Sequence, residues 1–207
     1  MSLRQRLSLA AASFAFAAAG AIAQQPYKLL DPPQPTEASG KIEVIEFFWY
    51  GCPHCYSLEP NGAAWSKKTP PDVAFKRVHA LPSDSWGEHA RIFYTLESMG
   101  KLEEFHQKVF DAIHKQNINL ANKKLREEWL QKNGIDPAKY AEVEKSFTVA
   151  TKMNRAKQLT YAYKVDSVPR LYVNGKYQIT MEAAGSIDRV FQIVDQVVGI
   201  ARKEKAR

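Results

Sequence analysis

Residues 42–56 read IEVIEFFWYGCPHCY, a passage from strand to helix around which the rest of the chain is arranged. Val44, Ile45, Phe47, Phe48 and Trp49 are β-branched or aromatic and nearly continuous, which predicts a buried strand over 42–50 rather than one that alternates with solvent. Gly51 ends the strand. A helix is predicted from Cys52 to about Ser66, because Pro53 falls in its first turn, where a missing N–H costs no hydrogen bond. Pro70-Pro71 closes that segment. Two cysteines, at i and i+3, therefore stand at the start of a helix that emerges directly from a buried strand.

Working outward, residues 73–79 predict a second strand, and from 82 to 163 the apolar spacing changes to helical period. Ile92, Phe93, Leu96 and Met99 make one face; Leu102, Phe105, Val109, Phe110 and Ile113 make the next; Leu125, Trp129 and Leu130 make a third. Asp136-Pro137 reads as an N-cap followed by proline at the first helical position. Strands return at 170–173 and 177–180, joined by Asn174-Gly175, a dipeptide that accepts the positive φ of a two-residue hairpin turn. A last helix carries Ile187, Val190, Phe191, Val194, Val197 and Val198. Residues 24–40 are proline-rich and extended, with a short possible strand at 27–30. The order predicts an α/β unit, β-α-β followed by β-β-α, built from residues 24–81 and 164–207 and interrupted by a helical insertion at 82–163.

Ahead of this unit, Arg4 and Arg6 precede an acid-free apolar run over 7–22 that closes on Ala21-Ile22-Ala23. That is the pattern of a secretory signal peptide, residues 1–23, cleaved before Gln24. A membrane anchor fits less well, since a span needs about 20 apolar residues and this run is shorter and alanine-rich. Removing the leader takes two arginines from the formal charge of +7 and leaves +5 on 184 residues. The remaining basic residues alternate with acids such as Glu127 and Glu128, so they read as solvated helix faces and argue against a nucleic-acid stripe. A mild preference for anionic membrane surfaces or acidic substrates stays open.

The chain has only two cysteines, three residues apart. An exported protein that builds a disulfide framework needs several pairs closing long loops, so this pair points to chemistry. Thiol-disulfide exchange needs one sulfur able to be a thiolate and a second near enough to resolve the mixed disulfide. At a helix start, free N–H groups and the helix dipole favour a Cys52 thiolate, and a donating or cationic His54 adds to this. A stabilised thiolate makes the disulfide the stronger oxidant. Zinc would want four ligands, and His79, His89, His106 and His114 supply no second ligand pair of suitable spacing, so no metal is expected. An inert structural bridge over so short a loop would add little stability. No cofactor is expected.

Glu46 lies inside the apolar run, six residues before Cys52. Buried beneath the pair it would hold a proton and exchange it with Cys55; at a strand end it would simply reach solvent. Glu59 is a weaker candidate for the same role. Val168-Pro169 precedes the hairpin, and a cis bond there would turn the Val168 N–H and C=O toward the sulfurs, where a substrate strand can pair; most Val-Pro bonds taken alone are trans.

Taken together, Glu46-Phe47-Phe48, Cys52-Pro53-His54-Cys55-Tyr56, Val168-Pro169 and Val173-Asn174-Gly175-Lys176-Tyr177 resemble the periplasmic disulfide-bond protein A (DsbA) family, over essentially the whole chain after the leader. The resemblance implies a thioredoxin-like fold with an inserted helical domain, Cys52 as nucleophile, Cys55 as resolving thiol, Glu46 as buried acid and Pro169 as cis-proline. It implies a monomeric dithiol oxidase in the periplasm that acts on newly exported cysteine-containing proteins and is reoxidised by a quinone-linked, DsbB-like inner-membrane partner. Trp49-Tyr50-Gly51 and Arg170 depart from the smaller or apolar residues of well-known members, at positions flanking the expected substrate groove. A disulfide isomerase or reductase would carry a dimerisation domain or a less oxidising dipeptide, and residues 24–40 are too few for such a domain. A peptide-binding chaperone would not need the cysteines.

Overall fold

The structure is a computed structural model that describes residues 25–206; the predicted leader lies outside them. Among the described residues the elements are β1 (Lys28–Leu29), β2 (Ile42–Phe48), α1 (Pro53–Ser66), β3 (Val73–His79), α2 (Gly87–Ser98), α3 (Leu102–His114), α4 (Lys123–Lys132), α5 (Pro137–Glu144) and α6 (Phe147–Ala162). They continue with β4 (Arg170–Val173), β5 (Tyr177–Thr180), α7 (Met181–Ala184) and α8 (Ile187–Lys205). The strands form one sheet in the order β1-β5-β4-β2-β3. β2 and β3 run parallel, as a helical crossover through α1 requires, while β4 is antiparallel to β2 and β5 folds back on β4.

All seven residues of β2 are buried, the mark of a central strand covered on both faces. Ile42 and Val44 join Leu58 of α1, Leu171 and Val173 of β4 and Val190, Val194 and Val197 of α8 in one cluster. Ile45 and Phe47 join Tyr172 and the inserted helices, through Phe93, Phe105, Phe110 and Trp129, in another. Glu46 has the parity of Ile42 and Val44, so its carboxylate points under α1. A Cβ at Gly62 of α1 would stand 3.5 Å from Glu46 Oε2.

The five helices α2–α6 occupy the predicted helical stretch between β3 and β4. Asp136 caps α5 by accepting the Ala138 N–H at 2.9 Å, with Pro137 at the first turn. Arg126, 5% exposed, ties this block together: it donates to the Leu120 carbonyl at 2.9 Å and pairs with Glu88 and Glu144 at 3.3 Å each. A guanidinium taken out of water needs that many partners.

Four details differ from the sequence expectation. β2 stops at Phe48 rather than Tyr50, because the Tyr50 N–H leaves the ladder for His79 Nε2 at 3.4 Å and the Trp49 carbonyl accepts the Cys52 N–H at 3.0 Å. Cys52 is the cap of α1, not its first helical residue. The strand expected at 27–30 shortens to the two-residue β1, paired with β5. α7 was not anticipated; it is four residues long, too short to show a period, capped by Thr180 and ended by Gly185 at φ +75°. The hairpin turn is as expected, with Asn174 at φ 51° and Gly175 at φ 66°. No described helix is long and apolar enough to cross a membrane.

Candidate active site

Gly51 and Cys52 carry the chain from β2 into α1. Cys52 is extended, at φ −90° and ψ 117°, and its sulfur accepts the Cys55 N–H at 3.3 Å, so the thiol itself caps the helix. Both cysteines are free thiols. Cys52 keeps 7% of its surface exposed and Cys55 only 1%, so Cys52 is the more accessible sulfur of the two. A hydrogen bond from the Cys55 side chain, the Cys55 and His54 N–H groups and the His54 charge together pull Cys52 down to about 6 against the cost of its burial. Cys55 moves the opposite way: burial first, then Cys52 and the Glu46 charge, push its thiol far above the usual range.

The Val168-Pro169 bond is cis, and the Val168 carbonyl accepts from Cys52 Sγ at 3.4 Å. Beside it opens a 480 Å³ cavity lined by His54, Ser167, Val168, Pro169, Arg170 and Met181, among others. Arg170 follows the proline and holds the preceding loop, pairing with Asp166 and donating to Ser167 Oγ at 2.9 Å. On the other flank, the Trp49 indole stacks on Trp86 at 4.3 Å and covers Gly51. Tyr56 stacks on His114 at 4.8 Å and donates to Asp111 at 3.0 Å, and His114 donates to the Tyr50 carbonyl at 2.8 Å. The helical insertion therefore grips the start of α1 directly.

Beneath the pair lies a buried polar cluster. Glu46 is 1% exposed, and burial, reinforced by the Glu59 charge and opposed by Arg77, raises its carboxyl to about 7. Arg77 stands 3.4 Å from Glu46 Oε2, outside hydrogen-bond geometry, and donates to Glu59 Oε1 at 3.0 Å. Glu59 also meets His106 Nε2 at 3.2 Å, and His106 Nδ1 meets the Tyr50 hydroxyl at 2.8 Å. Among the described residues no cluster of three or more His, Cys, Asp or Glu side chains is arranged to hold a metal ion.

Residues 72–197 match the family model described as a DSBA-like thioredoxin domain. The chain is 42% identical over 180 residues to the thiol:disulfide interchange protein DsbA of Pseudomonas aeruginosa, covering 87% of this chain and 84% of that protein. A DsbA from Azotobacter vinelandii is 43% identical over 164 residues, 79% of this chain and 77% of its own. This chain belongs to the DsbA family. The crystal structure of Pseudomonas aeruginosa DsbA superimposes with a TM-score of 0.83 at 40% identity, over 88% of this chain and 95% of that one. The reduced DsbA1 of Neisseria meningitidis does so at 0.78 and 27% identity, over 91% and 100%.

As a DsbA-family member the chain has the thioredoxin-like fold with helical insertion and is a thiol:disulfide oxidoreductase. Of the side chains singled out from sequence, the structure sets Cys52, Pro53, His54 and Cys55 at the start of α1, brings Val168 and Pro169 against Cys52 and His54, and places Glu46 under α1. Glu59, the weaker candidate from sequence, is nearly as buried as Glu46 and accepts hydrogen bonds from Arg77 and His106. Three members of the cluster were missed: Tyr50 as a side-chain donor, Arg77 and His106. Arg77 had a signal, since it sits in β3 directly opposite Glu46 in the parallel register, a basic residue beside an acidic one in two apolar strands. His106 carries no such signal, since its partners Glu59 and Tyr50 lie 47 and 56 residues away in other elements.

Proposed function

We propose that this DsbA-family chain is a protein dithiol oxidase, delivered to the periplasm by its cleaved leader, that donates the Cys52-Cys55 disulfide to newly exported cysteine-containing proteins. The observation that carries the reading is the asymmetry within one helical turn, with Cys52 pulled down to about 6 and Cys55 pushed far up. A substrate thiolate attacks Cys52 of the disulfide, the S–S bond breaks, and Cys55 leaves and takes a proton. A second substrate thiolate then attacks the substrate's own sulfur and expels Cys52 as a thiolate, so two electrons have passed from substrate to enzyme. The low Cys52 value makes that last departure easy and the reduced enzyme stable, which is what drives the disulfide outward.

The other residues divide the labour. Pro53 and His54 tune the thiolate, Glu46 holds the proton that Cys55 needs, and the Val168 backbone beside Pro169 docks the substrate strand. Residues 24–81 with 164–207 form the redox domain, and 82–163 form the inserted domain. The enzyme works as a monomer and is reoxidised by a quinone-linked, DsbB-like partner in the inner membrane. Equilibration of the Cys52-Cys55 pair against glutathione buffers tests the direction: an oxidase gives a pair far more oxidising than a cytosolic thioredoxin, and a thioredoxin-like value overturns the assignment in favour of a reductase. Cys52→Ser abolishes disulfide transfer to a reduced protein substrate; retained transfer would leave the cysteines incidental.

A further inference from the structure

The inserted helical block reaches the buried carboxylates through one side chain. His106, on α3, is 5% exposed and bonded at both ring nitrogens, to Glu59 Oε2 at 3.2 Å and to the Tyr50 hydroxyl at 2.8 Å. A carboxylate only accepts, so Nε2 carries the proton toward Glu59. Nδ1 of the neutral ring then accepts, and the Tyr50 O–H must donate to it. Burial holds the ring below the usual histidine range, in keeping with this neutral assignment. Each hydrogen bond along Tyr50–His106–Glu59–Arg77 then has one donor and one acceptor, and the line ends with Arg77 Nε 3.4 Å from Glu46 Oε2. Its other end is two residues ahead of Cys52.

We propose that His106 is a positioning residue of the redox site: with Tyr50 it fixes the Glu59 carboxylate, and through Glu59 and Arg77 it sets the negative charge held beneath the cysteine pair. Arg77 is shared between two carboxylates and bonds only Glu59 in good geometry. Glu59 can share it because His106 supplies the other oxygen with a donor. The charged and titratable groups that act on this ring are Tyr50, Glu59 of α1, Arg77 and His79 of β3 and Glu103 of α3 itself, while Glu46 and Tyr140 of α5 act on its partners Glu59, Arg77 and Tyr50. This inference rests on reading Cys52 and Cys55 as the redox pair.

The test uses the full chain with His106→Leu, His106→Gln and Tyr50→Phe. It reads the equilibrium constant against glutathione and the pH dependence of the thiolate absorbance of Cys52. Without the ring's N–H, Glu59 draws Arg77 more fully to itself and leaves Glu46 less of the guanidinium that opposes its burial, so the Glu46 carboxyl keeps its proton to higher pH and less negative charge lies under the sulfurs. The expected result for H106L is a lower midpoint for Cys52 and a pair more oxidising by roughly threefold or more. H106Q, whose amide can donate to Glu59 and accept from Tyr50, stays within about twofold of the unsubstituted chain. Y50F shifts in the direction of H106L, by less. A folded H106L with both values unchanged overturns the proposal, and so does an H106Q shifted as far as H106L. If H106L does not fold, an unchanged Y50F overturns it. The ratio of variant to parent tests His106 alone, whereas the parent's absolute constant tests the oxidase reading.

Discussion

A carboxyl placed where Glu46 stands is a standing electrostatic cost with a pH signature. Its value in the folded chain is raised from an ordinary 4.5 to about 7 by burial. Between those values the folded form keeps a proton that the unfolded form has released, so stability falls as pH rises and the loss is complete above about 7. Glu46→Gln removes the titration. Relative to the parent it is expected to gain on the order of 2–3 kcal/mol at about pH 8 and almost nothing at about pH 4. Denaturant unfolding at the two pH values checks this, and an equal gain at both would mean that burial of the charge is not the cause. The proposed role of Glu46 as proton partner of Cys55 predicts that oxidation of a substrate thiol slows in E46Q, measured as the rate of disulfide transfer; an unchanged rate rules that role out.

At the scale of the element, the β2–α1 junction is the part most dependent on one missing atom. A Cβ on Gly51 would fall 2.3 Å from the Trp49 indole, so even alanine must push the ring off its stack with Trp86. Gly51→Ala is expected to cost about 2 kcal/mol and to alter tryptophan fluorescence. Combining it with Trp49→Ala should remove most of that penalty. If the two losses simply add, the clash is not what Gly51 avoids. The same junction shows what sequence could and could not reveal. β3 and the β4–β5 hairpin fell where the apolar runs and Asn174-Gly175 placed them, because their signals are local. β2 ends two residues short of the apolar run because the Tyr50 N–H turns to His79, 29 residues away. The Glu59–His106 contact spans 47 residues between two helices whose spacing says nothing of each other, so no local pattern contained it.

For the whole molecule, the question is whether the inserted helices serve stability, chemistry or both. Their own coherence depends on buried Arg126, whose partners come from α2, α5 and the stretch before α4. Arg126→Ala strands Glu144 and the Leu120 carbonyl without their donor and is expected to destabilise the chain by about 3 kcal/mol. Cys52 should keep its titration midpoint in that variant, since Arg126 is not part of the cluster under α1. A shifted midpoint would show that the packing of the whole block, rather than His106 individually, governs the sulfur.

The sheet order also bears on how the chain comes into being. β1 lies at the sheet edge on β5, and the Leu30 and Gln34 N–H groups bond the Lys176 and Gly175 carbonyls, so the first described residues are stitched to a turn some 140 positions later. β2 likewise waits for β4 to occupy its free edge. A polypeptide delivered amino end first therefore presents β2, α1 and β3, with both thiols on show and one sheet edge unsatisfied, throughout the emergence of five helices. On the proposed oxidase role, the incomplete chain is during that interval itself an unfolded protein with two reduced cysteines, a client of finished copies of the same chain.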